Sequence, residues 1–375
     1  MHAFAISVFS IAALSCLLFA CNLPLYRLPR RRHPTNTSRI SILIPARDEE
    51  RSIESTVRAA LATEAVEFEV VVADDHSRDR TAAIVSEIAR EDPRVRLITV
   101  PFLPSGWCGK QFTCQTLSEA ARFEFLCFLD ADVQLEPLGI SALVGTLLES
   151  KVDLLSGFPK QEVVSLLERM LIPLMHFLLL GYLPMLGMKK TRNPAYAAGC
   201  GQLFLARADA YRHAGGHASI KASRHDGLTL PKAFRRAGLA TDMCDATSVA
   251  RCRMYRSNGE VLRGLLKNAT EGLASPGRIL PFSLLLLWGQ VFPIVLFASL
   301  LVHKSNRQDL LLSGVAVVLC YLPRAIAVVK FEQPVSGALL HPVSIALLLG
   351  LQWYAFILSL AGVPSMWKGR NYSTT

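Results

Sequence analysis

The sequence predicts an α/β domain built on a mainly parallel sheet and carried between apolar segments of membrane-crossing length. Three observations support this. Between residues 39 and 158, short runs rich in Val, Ile and Leu alternate with amphipathic stretches of helical period, the pattern of parallel strands joined by crossover helices. The two ends of the 375-residue chain concentrate the apolar residues that lift its hydrophobic fraction to 51% and its mean hydropathy to +0.33. Polar clusters also stand at the carboxyl ends of three predicted strands, as Pro45-Ala46-Arg47, Asp74-Asp75 and Asp130-Ala131-Asp132. Open α/β sheets bind their ligands at such strand ends.

Taken in order, residues 3–26 are apolar over a bilayer's thickness. Arg27, Arg30, Arg31, Arg32 and His33 follow this stretch rather than precede it. That is the reverse of a secretory signal, so 1–26 reads as a retained anchor with its basic flank in the cytoplasm. Residues 27–38 form a basic, proline-containing linker. RISILIPA (39–46) predicts the first strand, 49–62 an amphipathic helix, FEVVVADD (68–75) a second strand and 79–91 a second helix. VRLITV (95–100), a helix over about 110–122, a strand at 125–130, a helix over 137–150 and a strand at 152–158 continue the alternation. SLLERMLIPLMHFLLLGYLPMLGMKKTR (165–192) then interrupts the domain with an apolar run broken by Pro173, Gly181 and Pro184. A full crossing there would put acidic clusters on opposite sides of a membrane. The insert, about 165–188, is therefore predicted to be interfacial or re-entrant, with His176 packed inside it. The domain, 39–275, gives way to three more candidate spans at 279–302, 309–329 and 339–361. Pro323 and Arg324 leave the second of these either spanning or re-entrant. The C-terminal membrane region, 279–361, thus has two or three spans before the tail at 362–375.

Composition narrows the function classes. The net charge of +10 invites a nucleic-acid reading, but the basic residues cluster beside apolar segments, at 27–32 and at Lys189, Lys190 and Arg192. Anionic lipid headgroups are the expected partner, and no nucleic acid. The nine cysteines contain no C-x-x-C pair, which fits reduced thiols in a cytosolic domain better than disulfides or zinc. No G-x-G-x-x-G follows the first strand, and GCG at 199–201 lacks the third glycine and comes late. A dinucleotide fold is thereby disfavoured, and the P-loop pattern is absent as well.

The pair Asp130 and Asp132 ends an apolar run, Phe125 to Leu129. Carboxylates there are either a solvated turn or a hard divalent cation's ligands, shared with a phosphate. The wider pattern bears on the choice. PARDEE (45–50), VVVADDHSRDRT (70–81), GWCGK (106–110) and FLDAD (128–132) together resemble the family 2 glycosyltransferases, with their Rossmann-like GT-A nucleotide-sugar domain. The resemblance covers about 40–275 and extends to membrane members of carotenoid and hopanoid biosynthesis. It implies that Pro45, Ala46, Arg47 and Glu49 line the nucleotide pocket, that Asp74 and Asp75 approach base and ribose, and that Lys110 faces the nucleotide or its phosphates. It makes Asp130 and Asp132 a D-x-D motif holding Mg²⁺ or Mn²⁺, with Asp132 the direct ligand, and it makes the donor a nucleotide-sugar, a UDP-sugar.

In SRHDGLTLPKAFRRAG (223–238) the resemblance implies that Asp226 is the base that deprotonates the acceptor, the competing reading being a helix cap. His225 stands where the family carries a first acid and is an alternative base or acceptor contact. In RCRMYRSNGEVLRGLLKNATEGL (251–273) the Q-x-x-R-W motif of processive relatives is missing. There Arg253, Tyr255, Arg256 and Lys267 are candidates to grip the diphosphate or acceptor, unless this is a basic helix lying on the membrane. The expected activity is inverting, metal-dependent transfer of one sugar to a membrane lipid acceptor, either a lipid hydroxyl or a polyprenyl phosphate. The chain would be integral to the cell inner membrane, with its catalytic domain cytoplasmic. The alternatives are a polysaccharide synthase-like enzyme or a catalytically silent nucleotide-binding membrane module.

Overall fold

A computed structural model describes residues 1–29, 38–303, 306–363, 365–367 and 370–372. Arg30, Arg31, Arg32 and His33 of the predicted linker, and Lys368 of the tail, lie outside the described residues. The centre of the molecule is an eight-stranded sheet with the order β3-β2-β1-β4-β7-β6-β8-β5. Its strands are β1 (Arg39–Ala46), β2 (Glu67–Asp74), β3 (Val95–Thr99), β4 (Phe125–Leu129), β5 (Val133–Leu135), β6 (Leu154–Gln161), β7 (Leu203–Arg207) and β8 (Thr241–Cys252). The pairs β3–β2, β2–β1, β1–β4 and β6–β8 are parallel. β7 runs antiparallel to both its neighbours, and β5 pairs antiparallel with β8. The sheet is thus mixed, parallel in the half nearest the N-terminus and irregular beyond β4.

Period-two packing explains why β1 is central. Ile40, Ile42 and Ile44 join one core layer and Leu43 the other, and all four are fully buried. Each such side chain contributes ~1.5–3 kcal/mol on leaving water. Pairing of β1 with β4 ends at Leu43↔Phe128, whereas pairing with β2 runs on to Ala46↔Asp74. The sheet therefore opens between β1 and β4, where the strand order reverses. That is the topological switch point at which such sheets bind ligands. Pro45, which has no amide hydrogen to give, sits in the stretch where the β4 partner has already left.

The insert forms three short helices, Leu166–Leu171, Leu174–Tyr182 and Met185–Lys190. Each is far shorter than the ~20 residues a span needs. A reciprocal capping box between Ser165 and Glu168 starts the first helix, and Pro173 and Pro184 separate the three. The carbonyls freed at the second break are taken up by Asn22, whose Nδ2 donates to Leu180 (2.8 Å) and Leu183 (2.6 Å). Asn22 ends the apolar helix His2–Asn22, so the anchor is bonded to the insert. On the other side, Arg235 donates to the carbonyls of Met188 and Thr191. Lys189 pairs with Asp242 on β8, so it is engaged within the fold, while Lys190 and Arg192 are exposed.

Among the described residues four helices are long and apolar enough to cross a membrane: His2–Asn22, Ile279–Val302, Arg307–Lys330 and His341–Leu360. The third is continuous over 24 residues with Pro323 inside it. Arg324 does not reach toward an interface. It is fully buried and donates to Pro173 of the insert.

Candidate active site

The site is built from strand ends and the loops that leave them. After β1, Arg47 is buried, with Nη1 donating to the Asp75 carbonyl and 3.7 Å from Oδ1 of Asp75. Asp75 in turn donates its amide to Ala46 (2.8 Å). The Asp74 carboxylate turns back toward the Ser77 amide at 3.3–3.4 Å. The two loops are laced together: Asp48 accepts from the Arg78 amide at 2.7 Å, and the amide of Glu49 donates to Thr81 Oγ1 at 2.7 Å. Asp48 and His76 adopt left-handed backbone, with φ of 52° and 55°, which bends both loops tightly away from the strand ends. Arg47, Asp74 and Asp75 thus lie together where the loops after β1 and β2 leave the sheet.

Across the crevice, Asp130 follows the last residue of β4 and is fixed by its amide to the Gln202 carbonyl (3.0 Å). Its Oδ1 lies 2.6 Å from Nζ of Lys110. The same ammonium is 3.0 Å from Oδ2 of Asp226 and donates to the Gly201 carbonyl at 3.1 Å. An ammonium has three donors, and all three are engaged. Lys110, expected to face the nucleotide or its phosphates, thus joins the strand-end aspartate to the proposed base. It sits in the first turn of helix Gly109–Ala120, so the helix start aims it into the crevice.

Asp226 opens helix Asp226–Arg236. It comes close to the chain opposite: a Cβ on Gly201 would lie 2.1 Å from Asp226 Oδ1, and one on Gly227 would lie 2.7 Å from the Gly199 carbonyl. Gly201 of GCG therefore permits close approach of the acid, while a Cβ on Gly199 would meet Phe204 and Ser156. Burial alone would raise the Asp226 pKa, but Lys110 outweighs it and leaves this carboxyl below its usual range. At Asp130 burial prevails over Lys110, and the pKa is raised. Asp132 is pushed up to about 7, first by burial, then by Asp130 and Glu49. Its Oδ1 is buried and meets no hydrogen-bond partner among the described residues.

That last feature tests the fit of a metal. Two carboxylates one residue apart, one with an unsatisfied oxygen and a proton affinity far too high for a paired acid, match a hard cation with oxygen ligands. Among the described residues no group of three or more His, Cys, Asp and Glu gathers. The chain would thus supply at most these two ligands and leave the remaining positions to phosphate and water.

Of the remaining candidates, Lys267 faces the same cluster: its pKa is lowered to about 8, chiefly by burial and next by Lys110. Tyr255 is raised by burial and by Asp132, which places it beside the D-x-D pair. Arg253 is half-buried and bears on Glu168 of the insert. Arg256 is exposed, and its amide donates to Glu260 at 2.7 Å. Burial lowers the His225 pKa, against the opposing pull of Asp226 and Glu271. Sequence reasoning missed Glu271. Its carboxylate accepts from Ser223 Oγ (2.6 Å) and from the amides of Arg224 (2.7 Å) and His225 (3.2 Å), which fixes the turn carrying Asp226. Cys252 and Gln202 were missed too: Gln202 donates to Cys252 Sγ at 3.0 Å beside Asp132. A cavity of about 680 Å³ opens at the opposite, amino ends of β1 and β4, lined in part by Arg39, Glu124 and Arg207, and holds none of these groups.

Residues 41–213 match the family model of glycosyl transferase family 2. That match covers just under half of the chain, from β1 through β7. The chain is 26% identical over 250 residues to the 4,4'-diaponeurosporenoate glycosyltransferase of Staphylococcus haemolyticus, over 66% of this chain and 65% of that one. The match thus spans just under two thirds of that relative's own length. The Staphylococcus aureus enzyme of the same name is 27% identical over 353 residues, 90% of this chain and 89% of its own. In fold, the chain is similar to a mannosyltransferase from Pyrobaculum calidifontis, solved in complex with GDP-Man and Mn²⁺. The TM-score is 0.52 at 16% identity, over 94% of this chain and 99% of that one. This agrees with a GT-A fold carrying long apolar helices at both ends.

Proposed function

We propose that this family 2 enzyme moves a single sugar, with inversion, from a nucleotide-sugar donor to a membrane lipid acceptor at the cytoplasmic face of the cell inner membrane. The observation that carries this reading is the gathering of Asp130, Asp132, Lys110 and Asp226 at the β1/β4 switch point, in a sheet bonded through its insert to helices of crossing length. The nucleotide would enter between the loops after β1 and β2, near Pro45, Ala46, Arg47 and Glu49, with Asp74 and Asp75 keeping those loops in shape. Mg²⁺ or Mn²⁺ on Asp130 and Asp132 would neutralise charge building on the leaving diphosphate.

Lys110 can serve that diphosphate only by giving up one of its three present bonds. If it releases Asp226, the counter-charge that depresses this carboxyl weakens and its proton affinity rises as the acceptor arrives. The acceptor oxygen then bonds to the anomeric carbon while the bond from that carbon to the diphosphate oxygen breaks. Asp226 takes the hydroxyl proton. A phosphate or carboxylate acceptor has no proton to give and makes no such demand. Lys267, and behind it Arg253 and Tyr255, would meet the far side of the diphosphate.

The staphylococcal relatives are named for a carotenoid acid, which supports a lipid-like acceptor, and the archaeal neighbour was solved with a nucleotide-sugar and Mn²⁺. UDP-sugar is the donor we favour. The test is sugar transfer by the full chain in native membranes, with a panel of UDP- and GDP-sugars and Mn²⁺, followed by NMR of the product's anomeric configuration. Retention of configuration would overturn the direct displacement, and no turnover with any donor would overturn the activity.

A further inference from the structure

The cavity of about 680 Å³ at the amino ends of β1 and β4 is of ligand size and takes no part in the chemistry above. Lys110 stands in the first turn of helix Gly109–Ala120, whereas Ser118 and Glu119 of the same helix wall the cavity. Lys110 and Ser118 are eight residues apart, roughly 12 Å along the helix axis, so the cavity is a separate place from the donor crevice. Arg39, Arg122, Arg207 and Arg212 line it.

Two of these guanidinium groups are held in place. Arg39 opens β1 and Arg207 ends β7, with β4 between them. At the usual strand spacing their backbones stand about 10 Å apart. The Arg39 guanidinium lies over Phe123 at 5.5 Å and beside Glu124 at 3.4 Å. The Arg207 guanidinium lies over Phe125 at 6.0 Å and beside Asp209 at 3.6 Å. Ring and carboxylate orient each planar fork, which reduces the freedom lost when a ligand arrives. Arg122 reaches Glu69 only at 3.9 Å, and Arg96 already holds that carboxylate at 2.8 Å. The side chains of Arg39, Arg122 and Arg207 are 53%, 65% and 45% exposed. Ion pairs so open to water are weak, so each arginine can exchange its partner for an incoming anion.

We propose that this cavity is a second anion site, for a small soluble molecule that carries two or more phosphate groups. The ligand class follows from competition. Glu119, Glu124 and Asp209 share the walls with the four arginines, so a lone carboxylate from solution gains nothing over those already there. A diphosphate gains, because it carries more charge than any resident carboxylate and bridges several forks at once. Each phosphate also offers oxygens in three directions, where a carboxylate offers two in one plane. That suits guanidinium groups arriving from both sides of β4. The cavity is larger than a bare diphosphate, so an organic body can accompany it. Asp226 and the D-x-D pair take no part, and the inference stands apart from the transferase reading.

The test is arginine footprinting of the full chain in phosphatidylcholine nanodiscs, in buffer free of metal and phosphate. Modification by phenylglyoxal is read by mass spectrometry, with inorganic pyrophosphate as the probe and citrate as a carboxylate control of similar charge. Pyrophosphate should slow modification of Arg39 and Arg207 at least fivefold, and citrate should not. Arg58, 51% exposed and paired with Glu54, is the matched reference and should react unchanged. Arg207→Gln should make the protection of Arg39 at least tenfold weaker in pyrophosphate concentration, and Arg207→Lys should keep part of it. No protection in the wild type, equal protection by citrate, or equal slowing of Arg58 would overturn the proposal, whether or not either variant folds. Discs containing phosphatidylglycerol separate water from membrane: Arg39 and Arg207 already protected by that lipid alone would make this a headgroup contact and overturn a soluble ligand. Donor hydrolysis in the same discs keeps the two ideas apart. Lost protection with hydrolysis intact sinks this site alone, and absent hydrolysis with protection intact sinks the transferase reading.

Discussion

Replacing Asp132 by Asn should stabilise the protein at alkaline pH while abolishing transfer. The folded-state pKa of about 7 stands against an ordinary value of 3.8. For an acid raised in this way, the folded chain binds the proton more tightly than the unfolded one. Its ionisation therefore costs stability as pH climbs from near 4 through about 7, and above that the full cost is present. A displacement of this size corresponds to ~4 kcal/mol at 1.36 kcal/mol per unit. The carboxylate keeps some access to water, so ~2 kcal/mol is the expected cost. Asn keeps the shape without the charge. Thermal unfolding in nanodiscs with chelator should place Asp132→Asn level with the wild type at pH 4 and about 4–8 °C above it at pH 8. Mn²⁺ at a hundredfold excess over its dissociation constant should add ~2.7 kcal/mol to the wild type alone and reverse the order. A variant less stable than the wild type at pH 8 under chelator, or a gap that ignores pH, would refute the argument that this oxygen is held for a cation.

Lys110→Met leaves Asp130 and Asp226 facing each other without their shared cation, so transfer should fall at least a hundredfold. Any residual activity should show its acid limb at higher pH than the wild type, because burial of Asp226 is then unopposed; an unmoved limb in a pH–rate profile would count against the bridge. Gly201→Ala puts a methyl 2.1 Å from Asp226 Oδ1 and should lower kcat sharply with donor KM nearly unchanged, as read by steady-state kinetics. Glu271→Gln weakens three bonds to the 223–225 turn and should cost about tenfold in kcat, ~1.4 kcal/mol, without moving the unfolding midpoint by more than a few degrees. Arg256→Gln should be silent in the same assay, since its side chain is exposed.

The parallel half of the fold was legible because its code is local. RISILIPA and FEVVVADD declare buried strands by their own composition, and the helices between them follow within a residue or four of the predicted limits. β5, β7 and β8 were not anticipated. VQL is too short to carry a period, and TDMCDATSVARC mixes acids and small residues because it lines the site and meets the insert on one face. The carboxylates were legible as types at strand ends. The bridge was not, because Lys110, Asp130 and Asp226 are 20 and 96 residues apart in the chain and only the reversal of strand order brings them together. Glu271 carried no signal at all. It is one of two acids in a basic segment, with Glu260, and its role depends on which turn it folds against.

The depressed proton affinity of Asp226 bears on what the enzyme glycosylates. A carboxylate held below its usual range is always ionised near neutrality but weakly basic. For an alcohol this suffices only late in the displacement, when the new bond to the anomeric carbon has made the hydroxyl strongly acidic. For an anionic acceptor there is no proton to take, and an ionised Asp226 would repel the nucleophile were it not neutralised. Lys110, shared between Asp130 and Asp226, supplies that neutralisation. The two acceptor classes thus place opposite demands on the same residue. Asp226→Asn should cripple transfer to a lipid alcohol by a hundredfold or more, yet cost an acid acceptor far less, since the amide still accepts from Lys110 and no longer repels. Acid and alcohol of the same chain length, compared on that one variant, read out which group the site was built to meet. Equal losses on both would leave Asp226 as a support for Lys110 and no base.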